Sequence, residues 1–185
     1  MTDLKSYERI VNELVINKST DVSYTNGAEN STIVMENLFL AAAKEVIILT
    51  GSFHKDVCDD VEQRFVFSLK RFLLGRGKIS VVMNDYNPVI HEPNSVLSIL
   101  RQYACTPGYE ANIQVRTTSE EVVFGNFNVH FMVADDSMYR LEYDTRSYLS
   151  EFCFNDANTS NVLRQRFDLL FKAATPFRLQ EMELA

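Results

Sequence analysis

The chain has 185 residues, 46% of them hydrophobic, enough for one domain that buries roughly 70% of the surface its unfolded chain would expose. With 18 Lys and Arg against 25 Asp and Glu, the net charge is −7, which argues against holding nucleic acid by charge neutralisation alone and leaves room only for a local basic pocket. Its longest apolar runs, such as Val46-Ile47-Ile48-Leu49, fall far short of the roughly 20 residues a bilayer span needs, and no basic-then-apolar signal opens the sequence.

Only 6 Gly and 4 Pro punctuate the chain, no repeat or linker divides it, and the expectation is a single domain over residues 1–185. Thr2 is placed to cap a first helix over about residues 3–17, in which Tyr7, Ile10, Val11, Leu14 and Val15 recur at helical spacing. A short strand near 21–24 precedes the Asn26-Gly27 turn and a helix to about residue 43, with Val34, Met35, Leu38, Phe39 and Ala42 on one stripe. Residues 45–50 and 78–84 are apolar and β-branched without alternation, the pattern of strands covered by helices on both faces. Between them, Val57, Val61, Phe65, Leu69 and Leu73 lie four apart on a long helix that Gly75 stops. A helix over 95–103 and a strand over 112–117 follow; the chain then turns β-rich, with strands at 128–134, 138–143 and 148–154. A last helix carries Leu163, Phe167, Leu170, Phe171 and Ala174 on one side, and Pro176 follows its end. The fold class is α/β.

The hairpin at 128–144 is the place where chemistry concentrates. The two-residue period puts Val129, Phe131 and Val133 on one face and Asn128, His130 and Met132 on the other. Across the turn Asp135-Asp136-Ser137, Tyr139, Leu141 and Tyr143 form the apolar set, while Met138, Arg140, Glu142 and Asp144 face the polar side. Pairing Ala134 with Met138 matches like faces. It sets Met132 opposite Arg140, His130 opposite Glu142 and Asn128 opposite Asp144. A carboxylate beside an imidazole favours its charged form and fixes its orientation, which suits acid/base work or the holding of an anion near Arg140. The same alternation also suits a hairpin with one merely solvated face.

The C-terminal half resembles the phospholipase D superfamily, whose signature is H-x-K-x-x-x-x-D followed by a strand and often a Gly-Ser pair. Asn128-x-His130-x-x-x-x-Asp135 matches the spacing; Asn128 then stands in the nucleophilic His slot, His130 in the Lys slot and Asp135 in the Asp slot, and Glu142-Tyr143 replaces Gly-Ser. A second register puts His130 in the nucleophile slot, Met132 in the Lys slot and Ser137 in the Asp slot. The helix-to-strand segment 37–49, the step at 75–82 and the strand-to-helix segment 154–174 are similar to the family's framework and extend the likeness over most of the chain. The resemblance implies a mixed sheet with helices on both faces. It also implies a phosphohistidine mechanism, which Asn128 cannot support because an amide nitrogen has no nucleophilic lone pair. Two motifs around one site are implied as well, so that a chain with one motif would meet its copy in a homodimer at the motif face.

Other signals are weaker. His54-Lys55-Asp56 is adjacent rather than spaced along a strand and reads as a helix-entry loop. Ser52, just past a core strand, is a secondary candidate for lining a pocket. Lys70, Arg71, Arg76 and Lys78 cluster near a helix C-terminus without interleaved aromatics, so nucleic acid is not the favoured partner. Cys58, Cys105 and Cys153 are too few and scattered for a disulfide framework, and a reducing, cytoplasmic setting is expected. No metal or cofactor is expected. Tyr139 and Tyr143 are candidates for a subunit contact. The leading expectation is a phospholipase D-like domain without the full catalytic set, serving as a homodimeric binding, sensing or assembly module for a phosphate-containing ligand or a protein partner. Its binding face would hold Asn128, His130, Asp135, Arg140 and Glu142, with Ser52 nearby. The alternative is a phosphodiesterase or nuclease of altered chemistry, in which His130 attacks or moves a proton, Glu142 orients it and Arg140 holds phosphate.

Overall fold

The structure, a computed structural model, describes residues 3–51, 53, 57, 63–84, 86, 95–119, 123–124 and 127–181, of which 123–124, 127–128 and 181 are described by backbone alone. In chain order its elements are α1 (Leu4–Ile16), β1 (Ser23–Thr25), α2 (Ala28–Ala41), β2 (Glu45–Thr50), α3 (Arg64–Leu74), β3 (Lys78–Asn84), α4 (Ser95–Ala104) and β4 (Ile113–Thr118). The short strands β5 (Val123–Phe124) and β6 (Phe127–Asn128) precede β7 (His130–Ala134), β8 (Met138–Asp144), β9 (Leu149–Cys153), α5 (Ala157–Ala173) and β10 (Thr175–Pro176).

Eight strands form one mixed sheet in the order β1-β9-β8-β7-β2-β3-β4-β10. The unbroken apolar runs become β2 and β3, which pair in parallel with each other, and β3 pairs in parallel with β4. Successive residues of β2 serve opposite faces, as the pleat requires. Val46 and Ile48 join Val34, Leu38, Phe65, Leu69 and Val81 in one apolar layer. Ile47 and Leu49 join Val82, Phe131 and Val133 beneath Leu163 and Phe167 of α5. Helices therefore cover both faces, as the sequence pattern requires. Among the described residues no helix is long and apolar enough to cross a membrane.

Several local expectations are corrected. Thr2 lies outside the described residues; α1 is capped by Asp3, whose carboxylate accepts from the Ser6 amide at 3.1 Å. The single long helix expected to carry Val57 through Leu73 is not one helix: α3 starts at Arg64, because Gln63 at its N-cap position is left-handed with φ of 52°, and Gly75 sits at its C-terminal cap as expected. The strand expected over 128–134 divides at Val129, because Asn128 belongs to β6 and pairs with Val123. After α5, Thr175 and Pro176 add a short outer strand to β4; proline, which has no N–H to donate, is tolerated at such an edge. Tyr139 is not a subunit contact: it is 1% exposed in the α5-side core and donates its hydroxyl to Glu151 at 3.3 Å. Burial and the neighbouring Glu151 charge push that phenol far above its ordinary pKa.

Two close contacts fix the entry into the parallel strands. A Cβ at Gly77 would lie 2.3 Å from the ring of Phe72, so the backbone reaches β3 only because glycine has no side chain. The Asp135 carboxylate, in the β7–β8 turn, accepts backbone N–H bonds from Ala43, Lys44 and Glu45 at 2.8, 2.8 and 3.0 Å. Arg164 adds to this junction by donating to the Asp135 carbonyl at 2.6 Å and pairing with Glu45 at 2.8 Å. Hydrogen bonds to a charged acceptor contribute more than neutral ones. Replacing Asp135 with Ala is therefore expected to lower stability by about 2 kcal/mol, seen as a lower urea midpoint at unchanged slope, whereas an unshifted midpoint would contradict this latch.

Candidate functional site

Strands β7 and β8 adopt the expected register, with His130 opposite Glu142, Met132 opposite Arg140 and Ala134 opposite Met138. The polar side of this hairpin does not face water. Arg140 is 4% and Glu142 5% exposed, because α2 lies over that side and contributes Ser31 and Met35 to the buried layer. Burying a charge is tolerable only when it is paired and hydrogen-bonded, and both conditions are met. Arg140 Nη2 bonds Glu142 Oε2 and donates to Ser31 Oγ at 3.0 Å. Glu142 Oε1 meets His130 Nδ1 at 3.2 Å. Ser31, Arg140, Glu142 and His130 thus form one polar chain running from α2 to β7.

Burial opposes ionisation of Glu142, yet its hydrogen bond with His130 and the charge and hydrogen bond of Arg140 outweigh that penalty and hold the carboxyl below the usual 4.5. An ionised Glu142 acts as the acceptor, which assigns the Nδ1 proton to His130. The opposite edge of the imidazole runs along the main chain: a Cβ at Gly51 would lie 3.5 Å from both Cε1 and Nε2. The side chain of His130 is 28% exposed. Arg140 Nε is buried and has no hydrogen-bond partner among the described residues.

These groups line a cavity of about 630 Å3. Its polar wall is His130, Arg140 and Glu142, with Thr50, Thr145 and Arg146 at its sides. Met35, Ile48, Phe53, Val57, Met132 and Tyr148 supply apolar surface. The cavity lies at the carboxyl end of β2, where α/β sheets commonly take ligands.

Of the residues singled out from the sequence, His130, Arg140 and Glu142 come together here. Asp135 does not line the cavity; it sits five residues from His130, about 16 Å along an extended strand, with its carboxylate bound to the backbone ahead of β2. Asn128 does not pair with Asp144, because β6 has left the β7–β8 ladder and a bulge interrupts β8 between Glu142 and Asp144. Asp144 instead caps the following turn, accepting from the Arg146 amide at 3.0 Å and the Ser147 hydroxyl at 2.8 Å. Ser52 and the His54-Lys55-Asp56 segment lie outside the described residues, although Gly51 and Phe53 on either side of Ser52 line the cavity. Ser31, Arg146 and Tyr148 were not singled out. A serine in the second turn of an apolar helix was the one available signal for Ser31.

No protein-family model matches the chain, and no curated protein matches its sequence. Solved structures do match. TrmBL2, an archaeal chromatin protein described as showing a novel mode of DNA binding, superposes with a TM-score of 0.56 at 15% identity over 94% of this chain. Nuc from Salmonella typhimurium, a phospholipase D family member, gives 0.54 at 10% identity over 85% of this chain and 99% of its own. Phosphatidylserine synthase from Haemophilus influenzae Rd KW20 gives 0.53 at 15% identity over 90% of this chain. The match spans only 62% of the chromatin protein and 42% of the synthase. The chain has a phospholipase D-like fold.

Removing the charge of Glu142 leaves a buried guanidinium without its counterion. Glu142→Gln is expected to cost about 3 kcal/mol at pH 7. Because the folded carboxyl titrates below its unfolded value, this contribution is present above about pH 4.5 and is lost as the pH falls through the lower folded value. Urea unfolding of both proteins from pH 7 to pH 3 should show the gap narrowing with acid; a gap constant across that range would contradict the pairing.

Proposed function

We propose that this domain captures a phosphate-containing ligand in the His130–Arg140 cavity without turning it over, and that it works in the cytoplasm as a homodimeric binding, sensing or assembly module. The observation that carries the proposal is the buried guanidinium of Arg140, held by Ser31 and Glu142 on the wall of an open cavity, with its Nε lacking a partner among the described residues. His130 and Arg146 add donors around the same space, and such charge-assisted donors suit a tetrahedral oxyanion. The fold supports the phosphate chemistry by analogy only. In the register that matches the spacing, Asn128 offers no nucleophile. The net charge of −7 disfavours a duplex as the ligand, although the chromatin protein of like fold binds DNA. The single motif supports pairing of two copies.

A specific geometric feature favours a second reading. With Nδ1 of His130 held by Glu142, the other ring nitrogen is oriented for proton transfer or attack, the arrangement a phosphodiesterase of altered chemistry needs.

Tungstate, a phosphate surrogate, separates these readings. In calorimetry the chain should bind it, and His130→Gln should weaken binding about tenfold, the loss of one charge-assisted hydrogen bond, while heat unfolding stays within a few degrees. Tungstate density elsewhere in a soaked crystal would overturn the site. Hydrolysis of bis(p-nitrophenyl) phosphate that disappears in His130→Gln would put the catalytic reading in front. Light scattering should return twice the 21.2 kDa chain mass; a monomer at working concentration would remove the dimer from the proposal.

A further inference from the structure

Six non-glycine residues among those described have positive φ, and only Phe53 and Tyr148 are aromatic, each with φ of 56°. Both line the cavity of His130 and Arg140. A left-handed backbone at a bulky L-residue costs on the order of 1 kcal/mol or more and persists only where the surroundings over-determine it. The surroundings of Tyr148 do so. The turn before it is tied by Asp144 to the Arg146 amide and the Ser147 hydroxyl, and the Ser147 carbonyl accepts from the Gly27 amide at 3.0 Å. This anchored turn presents a guanidinium and a phenol ring, two residues apart, to the same cavity.

We infer that the cavity selects a small anion carrying a planar ring, of mononucleotide size, with its ring against Tyr148 and its charge toward His130, Arg140 and Arg146. The inference rests on the anion-site reading above and deepens it by naming the ligand class. Size supports it: about 630 Å3 lies within the roughly 300–1,000 Å3 of small-molecule sites. Surface chemistry supports it too. Bare phosphate would satisfy the polar wall but leave the half-buried ring of Tyr148 in contact with water, whereas a ring-bearing phosphoester covers both walls at once. Rigid aromatic faces favour offset stacking with another planar ring over a flexible alkyl chain, which loses rotamer freedom when it is confined.

Calorimetric titration of the full chain with inorganic phosphate, octyl phosphate, 1-naphthyl phosphate and adenosine 5′-monophosphate tests this. The two ring-bearing esters should bind at least about tenfold more tightly than phosphate or octyl phosphate, the scale of one stacking contact. Tyr148→Leu should remove about that factor for the ring-bearing esters and leave phosphate binding unchanged, and Tyr148→Phe should restore it. Octyl phosphate binding as tightly as the ring-bearing esters would overturn the ring selection while leaving the anion site standing. If none of the four binds, the anion-site reading falls and this inference falls with it.

Discussion

The ion pair between Arg140 and Glu142 constrains the arrangement of everything around it. The two residues are two apart on β8 and so share a face, and both are almost wholly buried. Taking each ion out of water costs several kcal/mol, which close contact offsets only when the remaining donors and acceptors are also met. Ser31 meets Arg140 from α2, and His130 meets Glu142 from β7. The pair thereby specifies where α2 lies, how β7 is paired and which way the imidazole turns. A one-residue slip of β8 would carry both charges to the side of Phe131, Val133 and α5, where the described core offers apolar partners. Register is consequently enforced by charge as well as by hydrophobic pattern.

Asp135 imposes a second constraint at the other end of β7. Its three backbone bonds tie the hairpin turn to the start of β2, so β7 is fixed at one end by a structural carboxylate and at the other by a polar chain that opens onto a cavity. Residues placed together by motif spacing are thus divided between two tasks. The fold tolerates this division because its layers depend on apolar burial on both faces of the sheet rather than on the identity of the motif residues. Chemistry belongs to the site and varies independently of the scaffold.

The hairpin register was legible because two period-2 patterns meet across a short polar turn: matching like faces rules out every odd slip, and the shortness of the turn favours pairing Ala134 with Met138. The buried strands β2 and β3 were legible from unbroken β-branched runs. Burial of the polar face was not, since a strand's own alternation is identical whether water or α2 covers it; the decision lies in Ser31 and Met35, some hundred residues earlier in the chain. Asn128 misled because period 2 carries no sign of a strand that leaves its ladder at Val129. Arg146 and Tyr148 were invisible for a related reason. Turn residues acquire a direction only from anchors such as Asp144 and the Gly27 amide, and that anchoring is tertiary.

The same ion pair bears on what the cavity can do chemically. Stabilising a phosphorane-like transition state takes donors aimed at charge as it develops, in excess of those the resting site has already neutralised. Here the most buried cation is largely matched by Glu142, and the carboxylate is held ionised by the very contacts that align it. The remaining donors are the His130 imidazole and Arg146 at the side of the cavity. In the proposed reading these donors hold one anionic group, whose own desolvation the apolar walls offset if the ligand brings a ring. A polyanion gains little from so short a positive stretch on a surface that is acidic overall, because its affinity grows with the number of phosphates neutralised. The proposed preference for a small amphipathic anion rests on how little uncompensated charge the fold leaves exposed, and the buried pair sets that limit.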